Sequence, residues 1–250
     1  MALLKVLLLL GLGVSVNSDV SLQKRIIGGQ NCDDTQRLYH VRLESSKGDN
    51  NYRCGGSLIH PEWILTASHC WQFGQEWTNI AVLKVHPRTA GQQNQVIRDN
   101  PVVYTHNGRQ QGIILLKLQT PVTDVPLARL PDCRRRLKTG DVVQLAGEAA
   151  TTIGHNNQRI RNPGIQAHLQ CVDMRVVRAS QLHQTHGHLF YAEAPNKDVC
   201  YGDAGGAVVY NDMIYGVTYF SGRDYVCQKP TAIFDVCEYL WWIKQTIGLK

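Results

Sequence analysis

Short β-type runs recur along most of this chain, at 52–59, 63–67, 80–85, 113–118, 141–146, 168–177, 207–210 and 214–220, with turn-forming residues between them. Many short strands at fairly even spacing, without helical stretches between them to cross a parallel sheet, point to an all-β barrel or sandwich. Asn211-Asp212, lying between two such runs, reads as a tight hairpin turn. Only the end of the chain looks helical: Val236, Leu240, Ile243 and Ile247 share one helical face, and Gly248 can stop the helix. With 250 residues, 43% hydrophobic and 18% charged, the chain can bury the core of one large β domain or two modules sharing a core. The same balance excludes a disordered chain. The 26 Lys+Arg against 20 Asp+Glu give a net charge of only +6 with no long basic run, so no nucleic-acid partner is expected.

Eight cysteines, an even number, invite a fully paired framework in an oxidising compartment. The N-terminus supplies that compartment. After Lys5, residues 6–16 form an apolar stretch far short of the ~20 residues that span a bilayer, followed by small residues. This reads as a signal peptide over 1–18, cleaved after Ser18 with Val16 and Ser18 at the positions the peptidase inspects. Nothing downstream is apolar enough for a membrane anchor, so the chain is expected to be secreted and extracellular. Residues 19–25 are polar and end in Lys24-Arg25, so a protease cutting after a basic residue would free the amine of Ile26.

Three segments carry a family resemblance: Ile26-Ile-Gly-Gly, Leu65-Thr-Ala-Ser-His69-Cys70, and Asp198-Val-Cys-Tyr-Gly-Asp203-Ala-Gly-Gly-Ala207. In order and separation they resemble the activation site, histidine motif and nucleophile motif of the trypsin-like, chymotrypsin-fold serine proteases. The resemblance runs from Ile26 to the C-terminus. It implies an activation propeptide over 19–25 and a peptidase-like domain over 26–250. The implied fold is all-β, with two antiparallel six-stranded Greek-key barrels, a cleft between them and a closing C-terminal helix.

Acyl transfer by this family needs a serine to attack, a histidine to take its proton, and a carboxylate to hold the histidine's tautomer and stabilise its cation. His69 matches the histidine. At the serine position stands Ala204, whose methyl group cannot attack a carbonyl. The carboxylate normally opens a run of the form Asp-Ile-x-Leu-Leu-Lys-Leu, and here that run is Gly112-Ile-Ile-Leu-Leu-Lys-Leu118. Losing the nucleophile costs on the order of 10⁶ in turnover, leaving roughly 10³–10⁴ over water from the oxyanion hole and binding. Two independent losses point to a natural pseudoprotease rather than to an alanine introduced at one position. The oxyanion-hole positions correspond to Gly202 and Ala204.

The resemblance places a specificity-pocket aspartate at Asp198, where trypsin-like members attract Arg or Lys. Tyr219-Phe220-Ser221 stands for the family's Ser-Trp-Gly, however, and Pro230-Thr231-Ala232 for Pro-Gly-Val. Side chains at Ser221 and Thr231 are expected to narrow the pocket and leave Asp198 hydrogen-bonded internally. The activation residues Arg25, Ile26 and Asp203 are kept. Family pairing assigns all eight cysteines, joining Cys32 with Cys171, Cys54 with Cys70, Cys133 with Cys237, and Cys200 with Cys227. Two further bridges of trypsins lose both members together, at Val143 and Tyr210, and at Gln181 and approximately Tyr191.

Other features carry less. His183, His186 and His188 lack a cysteine or carboxylate at a recognised zinc spacing and read as a surface loop. Arg134-Arg-Arg136 with Lys138 reads as a solvated basic loop, with an anionic-surface patch as the alternative. Trp241-Trp242 belong to the packing and edge of the terminal helix. The reading is a secreted monomeric protease homologue that binds a protein or polyanion, with no metal and no cofactor. Two alternatives remain: a trypsin-like endopeptidase cleaving after Arg or Lys, and a haptoglobin-like carrier, which no preceding binding module supports.

Overall fold

A computed structural model describes residues 27–149, 158, 164–165, 167–183, 186–219 and 230–249. The expected signal peptide and propeptide, together with Arg25, Ile26, Ser221 and Cys227, lie outside the described residues. The strands are β1 (Gln30–Asn31), β2 (His40–Lys47), β3 (Asn50–His60), β4 (Trp63–Ala67), β5 (Thr78–Leu83), β6 (Gln93–Val96) and β7 (Val102–His106). They continue as β8 (Arg109–Lys117), β9 (Val142–Gly147), β10 (Gln170–His183), β11 (Gly187–Glu193), β12 (Ala207–Tyr210), β13 (Met213–Tyr219) and β14 (Thr231–Asp235). A short 3₁₀ turn, Val236–Glu238, leads into the single helix α1 (Leu240–Ile247).

The strands form two antiparallel barrels. The second closes: the order β10-β11-β14-β13-β12-β9 returns to β10 through a six-residue β9–β10 ladder, and β1 attaches outside it. The first runs β6-β5-β2-β3-β4-β8-β7. It has seven strands where six were expected, because the stretch between β6 and β8 is interrupted by Pro101, which has no N–H to offer a ladder. The hairpin read at Asn211-Asp212 joins β12 to β13, with both residues in the left-handed region at φ 49° and 59°. Asn107-Gly108 makes the same kind of turn between β7 and β8. Helix α1 buries Ile243 and Ile247 and stops at Gly248, φ 76°, as its apolar spacing requires.

Three of the expected disulfides join Cys32 to Cys171, Cys54 to Cys70, and Cys133 to Cys237. Cys200 is fully buried, and its expected partner Cys227 lies outside the described residues. Where one bridge is missing, the β9–β12 register (Val208↔Leu145, Val209↔Gln144) carries Tyr210 opposite Val143. Val143 belongs to the apolar core of the closed barrel and the half-buried Tyr210 packs against it, so packing replaces the covalent link.

The barrels meet along a seam with a charged centre. Arg42 of β2 donates from Nη1 to both carboxylate oxygens of Glu148 at 3.1 and 3.2 Å, and from Nε to Glu44 at 2.7 Å. Arg42 and Glu148 are both buried. His40 lies 3.9 Å from Glu148, but burial, with His86 and Arg42 adding to it, pushes its pKa down to about 3. At neutral pH His40 is therefore uncharged, and the ion pair belongs to Arg42 and Glu148. Removing one member of a buried pair leaves an uncompensated charge, whereas replacing both leaves none. Arg42→Met or Glu148→Leu alone is expected to cost about 3–5 kcal/mol in urea unfolding, and the double variant well under the sum of the two.

Candidate active site

The loop that carries Ala204 is fastened to the first barrel by backbone contacts. Gly55 of β3 donates its N–H to the Ala204 carbonyl at 2.7 Å, and Gly205 donates to Thr218 of β13 at 2.9 Å. Gly205 has φ 78°, and a Cβ there would stand 2.2 Å from Thr66 Oγ1 and 2.3 Å from the Gly55 carbonyl, so only glycine fits. Asp203 is 1% exposed; its Oδ1 accepts from the Ala149 N–H at 3.1 Å and its Oδ2 from the Cys200 N–H at 2.8 Å. Ile27 is buried against Ala149 and Cys200, and its carbonyl accepts from the Asp198 N–H at 3.1 Å. The segment following Ile26 is thus docked against the Asp203 loop.

His69 sits in the 3₁₀ turn Ser68–Cys70 at the end of β4, which the Cys54–Cys70 disulfide ties to β3. Its described contact is aromatic: the Tyr219 ring lies edge-on at 5.5 Å. Burial of the imidazole lowers its pKa to about 4, and among the described residues no carboxylate acts on it to favour the cation. His69 is nonetheless an exposed residue, and the water that reaches it softens the depression. Cys54, His69 and Cys70 bring potential metal-ligand atoms together, but the two cysteines are bonded to each other and offer no thiolate.

The position expected for the orienting carboxylate is filled by carbon. Gly112 lies in β8, and a Cβ there would stand 2.0 Å from Cζ and 2.1 Å from Cε1 of Phe234. Phe234 comes from β14 in the other barrel, is 1% exposed, and packs on Tyr219 with ring centroids 5.1 Å apart. The Gly112 N–H donates to the His186 carbonyl at 3.3 Å, and the His186 ring lies edge-on to Tyr219 at 5.2 Å. His69, Tyr219 and Phe234 therefore form a chain of rings ending on the bare backbone of Gly112. Phe234, at the Gly112 end of the chain, carries no carboxylate that could orient the imidazole or stabilise its cation.

Asp198, 3% exposed, accepts the N–H of Val199 on its own Oδ1 at 2.8 Å, and Thr231 is also buried. The three histidines of the 183–188 segment are not in a free loop: His183 ends β10, His188 lies in β11, and Tyr191 makes a 3.0 Å hydrogen bond with His183 Nε2. Arg134 is paired with Asp132, and Arg136 with Asp235 and Glu238. Two of the basic charges at 134–138 are thus locally neutralised. Trp241 is 71% exposed, while Trp242 packs on Tyr104.

The family model for trypsin matches residues 26–243. The chain belongs to the trypsin family. Similar relatives include trypsin-4 of the rat (Rattus norvegicus), 28% identical over 252 residues and covering 95% of this chain and 96% of that protein. Human kallikrein-5 is 28% identical over 253 residues, with coverage of 95% and 81%. Among solved structures, neuropsin, a serine protease expressed in the limbic system of mouse brain, superimposes with a TM-score of 0.68 at 22% identity, covering 88% of this chain and 98% of its own. The scabies mite inactivated protease paralogue S-I1 gives 0.69 at 22%, with the same coverage. These structures match the trypsin-like two-barrel fold and its C-terminal helix.

Tyr219 and Phe234 escaped the reading of the sequence as parts of the His69 environment. One signal was present: a glycine opening an Ile-Ile-Leu-Leu strand marks a close approach by another group. Gly112→Ala is expected to destabilise by about 1–3 kcal/mol through forced displacement of the Phe234 ring, and Gly112→Asp by more, since it also buries a carboxylate. Combined with Phe234→Ala, either change should cost less than the sum of the single effects in a double-mutant cycle. In an NMR titration the His69 imidazole should have its midpoint below 6.5; a midpoint at or above that value would contradict the absence of a neighbouring carboxylate.

Proposed function

We propose that this trypsin-family chain is a secreted, non-catalytic member that acts by binding a partner protein. The observation carrying this reading is the Phe234 ring against Gly112, together with alanine at position 204. An attacking hydroxyl is missing from the motif that supplies it. The place expected for the carboxylate that would orient His69 is occupied by the Phe234 ring, and burial disfavours the imidazolium that a proton transfer to His69 would create. The scaffold around them is kept: the glycine-dependent loop, the buried Asp203 with its two N–H donors, and the disulfide beside His69.

Retention of the scaffold without the proton relay is what a binding surface requires and a catalyst cannot use. The family's activity is endopeptidase, and its relatives include trypsins and kallikreins, so fold alone does not decide the matter. A protein partner is favoured over a polyanion because Arg134 and Arg136 already hold carboxylates. An extracellular location is in keeping with the apolar leader and the disulfides.

An active-site fluorophosphonate probe tests this directly. The mature protein should remain unlabelled, and covalent labelling would overturn the proposal. Ala204→Ser alone should restore no efficient hydrolysis of Arg-peptide esters or amides, because a hydroxyl without an oriented base recovers little of the roughly 10⁶-fold loss. Near-trypsin rates in that variant would show that the ring chain does not block the relay.

A further inference from the structure

Beside its ion pair the seam between the barrels encloses two histidines. His40 of β2 and His86, which follows β5, are each 2% exposed, and the Nδ1 of each ring is buried with no hydrogen-bond partner. His86 is anchored through Nε2, which lies 2.9 Å from the Asp33 carbonyl. His40 has no such anchor: Glu148 stands 3.9 Å from its Nε2, beyond hydrogen-bond reach, and both Glu148 oxygens already accept from Arg42. The ring also lies against the residue that ties the barrels together. A Cβ on Gly55 would stand 3.2 Å from His40 Cε1 and 2.9 Å from the Gly206 Cα, so the imidazole, β3 and the Ala204 loop converge at Gly55. Gly55 is the residue whose N–H holds the Ala204 carbonyl at 2.7 Å.

The charged and titratable groups around His40 are Arg42 and Glu44 on its own strand, Glu148 just after β9, and His86 and Arg88 after β5. The Asp203 carboxylate, on the Ala204 loop, accepts from the N–H groups of Ala149 and Cys200. Protonating His40 sets a second cation against one buried carboxylate and makes Nδ1 a buried N–H without an acceptor, which costs more than the pairing with Glu148 returns. Burial first, then the His86 and Arg42 charges, accordingly hold the enclosed ring's pKa down to about 3. Once water reaches it, an imidazole titrates near 6.5. The opened seam therefore binds one proton more than the closed one: closure is fully favoured above about pH 6.5 and progressively less as the pH falls toward about 3.

We propose that His40 is an acid-sensitive latch, whose protonation parts the barrels between β3 and the Ala204 loop and breaks the Gly55–Ala204 hydrogen bond while the closed second barrel stays intact. The opening itself does not depend on what the cleft does. Only its consequence, that acid releases a partner held beside His69 and Ala204, rests on the binding role proposed above.

The test is amide hydrogen exchange on the full mature protein at pH 7 and pH 5, corrected for the intrinsic exchange rate at each pH. Uptake of one proton on opening should lower the protection of the Gly55 N–H roughly 25-fold between the two. The Val176 N–H, which donates to the Asp141 carbonyl at 2.8 Å within the second barrel, should keep its protection. His40→Gln, which cannot take up the proton, should hold Gly55 protection level across the same range, whereas His86→Gln should leave the fall in place. A titration of the His40 ring signals in the unsubstituted protein gives a check that needs no variant: the folded form should remain neutral at pH 5. The proposal is wrong if Gly55 protection does not change, if it falls in step with Val176, if the fall persists in His40→Gln, or if the His40 ring titrates near 6.5 while Gly55 stays protected.

Discussion

The functional region depends on how closely two curved sheets approach each other. At the seam between the barrels, backbone meets backbone: Gly55 bonds to the Ala204 carbonyl, and Gly205 stands where any side chain would run into Thr66 and the Gly55 carbonyl. This proximity fixes the loop carrying Asp203 and Ala204 relative to the turn carrying His69. It also creates enclosed space between β8 and β14, and whatever fills that space decides the chemistry available beside His69. Close-packed interiors tolerate neither voids nor overlap. A ring and a carboxylate therefore cannot both occupy it.

The two halves of the seam use different physics. Near Ala204 the contact is made by backbone hydrogen bonds. Around Arg42 and Glu148 it is made by opposite charges that water no longer screens. The first arrangement depends on residues without side chains, and the second on two long side chains separated by about a hundred positions. Burial of His40 beside the ion pair keeps an additional positive charge out of the seam at neutral pH, because desolvation holds its ring neutral.

Much of this was legible in the sequence. The runs at 63–67 and 207–210 coincide with β4 and β12, and the Asn211-Asp212 turn and the helix stop at Gly248 form as their local chemistry dictates. Strand β2 was not legible, because Arg42, Glu44 and Ser45 interrupt its apolar pattern. Arg42 and Ser45 are tolerated inside because Glu148 and Asn79, distant in sequence, receive them, while Glu44 reaches the edge and accepts from Arg42. The far half of β10, from Arg178 to His183, was similarly hidden: it is mostly polar with its one large apolar residue, Leu182, exposed, and its strand form rests on pairing with β11 and on Arg178 lying over the Tyr191 ring. In the site, the motif residues could be read one by one, but the ring chain could not. Which aromatic side chain fills the space above a glycine is a property of two strands from different barrels.

The contact between Phe234 and Gly112 also orders events in the history of this sequence. The ring could not have settled in its present position while any Cβ stood at 112, so removal of that side chain came first or together with the ring. Once the phenyl group was in place, each single step back became unfavourable: a side chain at 112 overlaps the ring, and a smaller residue at 234 leaves a hole in the core. The packing acts as a ratchet. Glycine at 112 is thereby a structural requirement, and selection for stability alone opposes any side chain there.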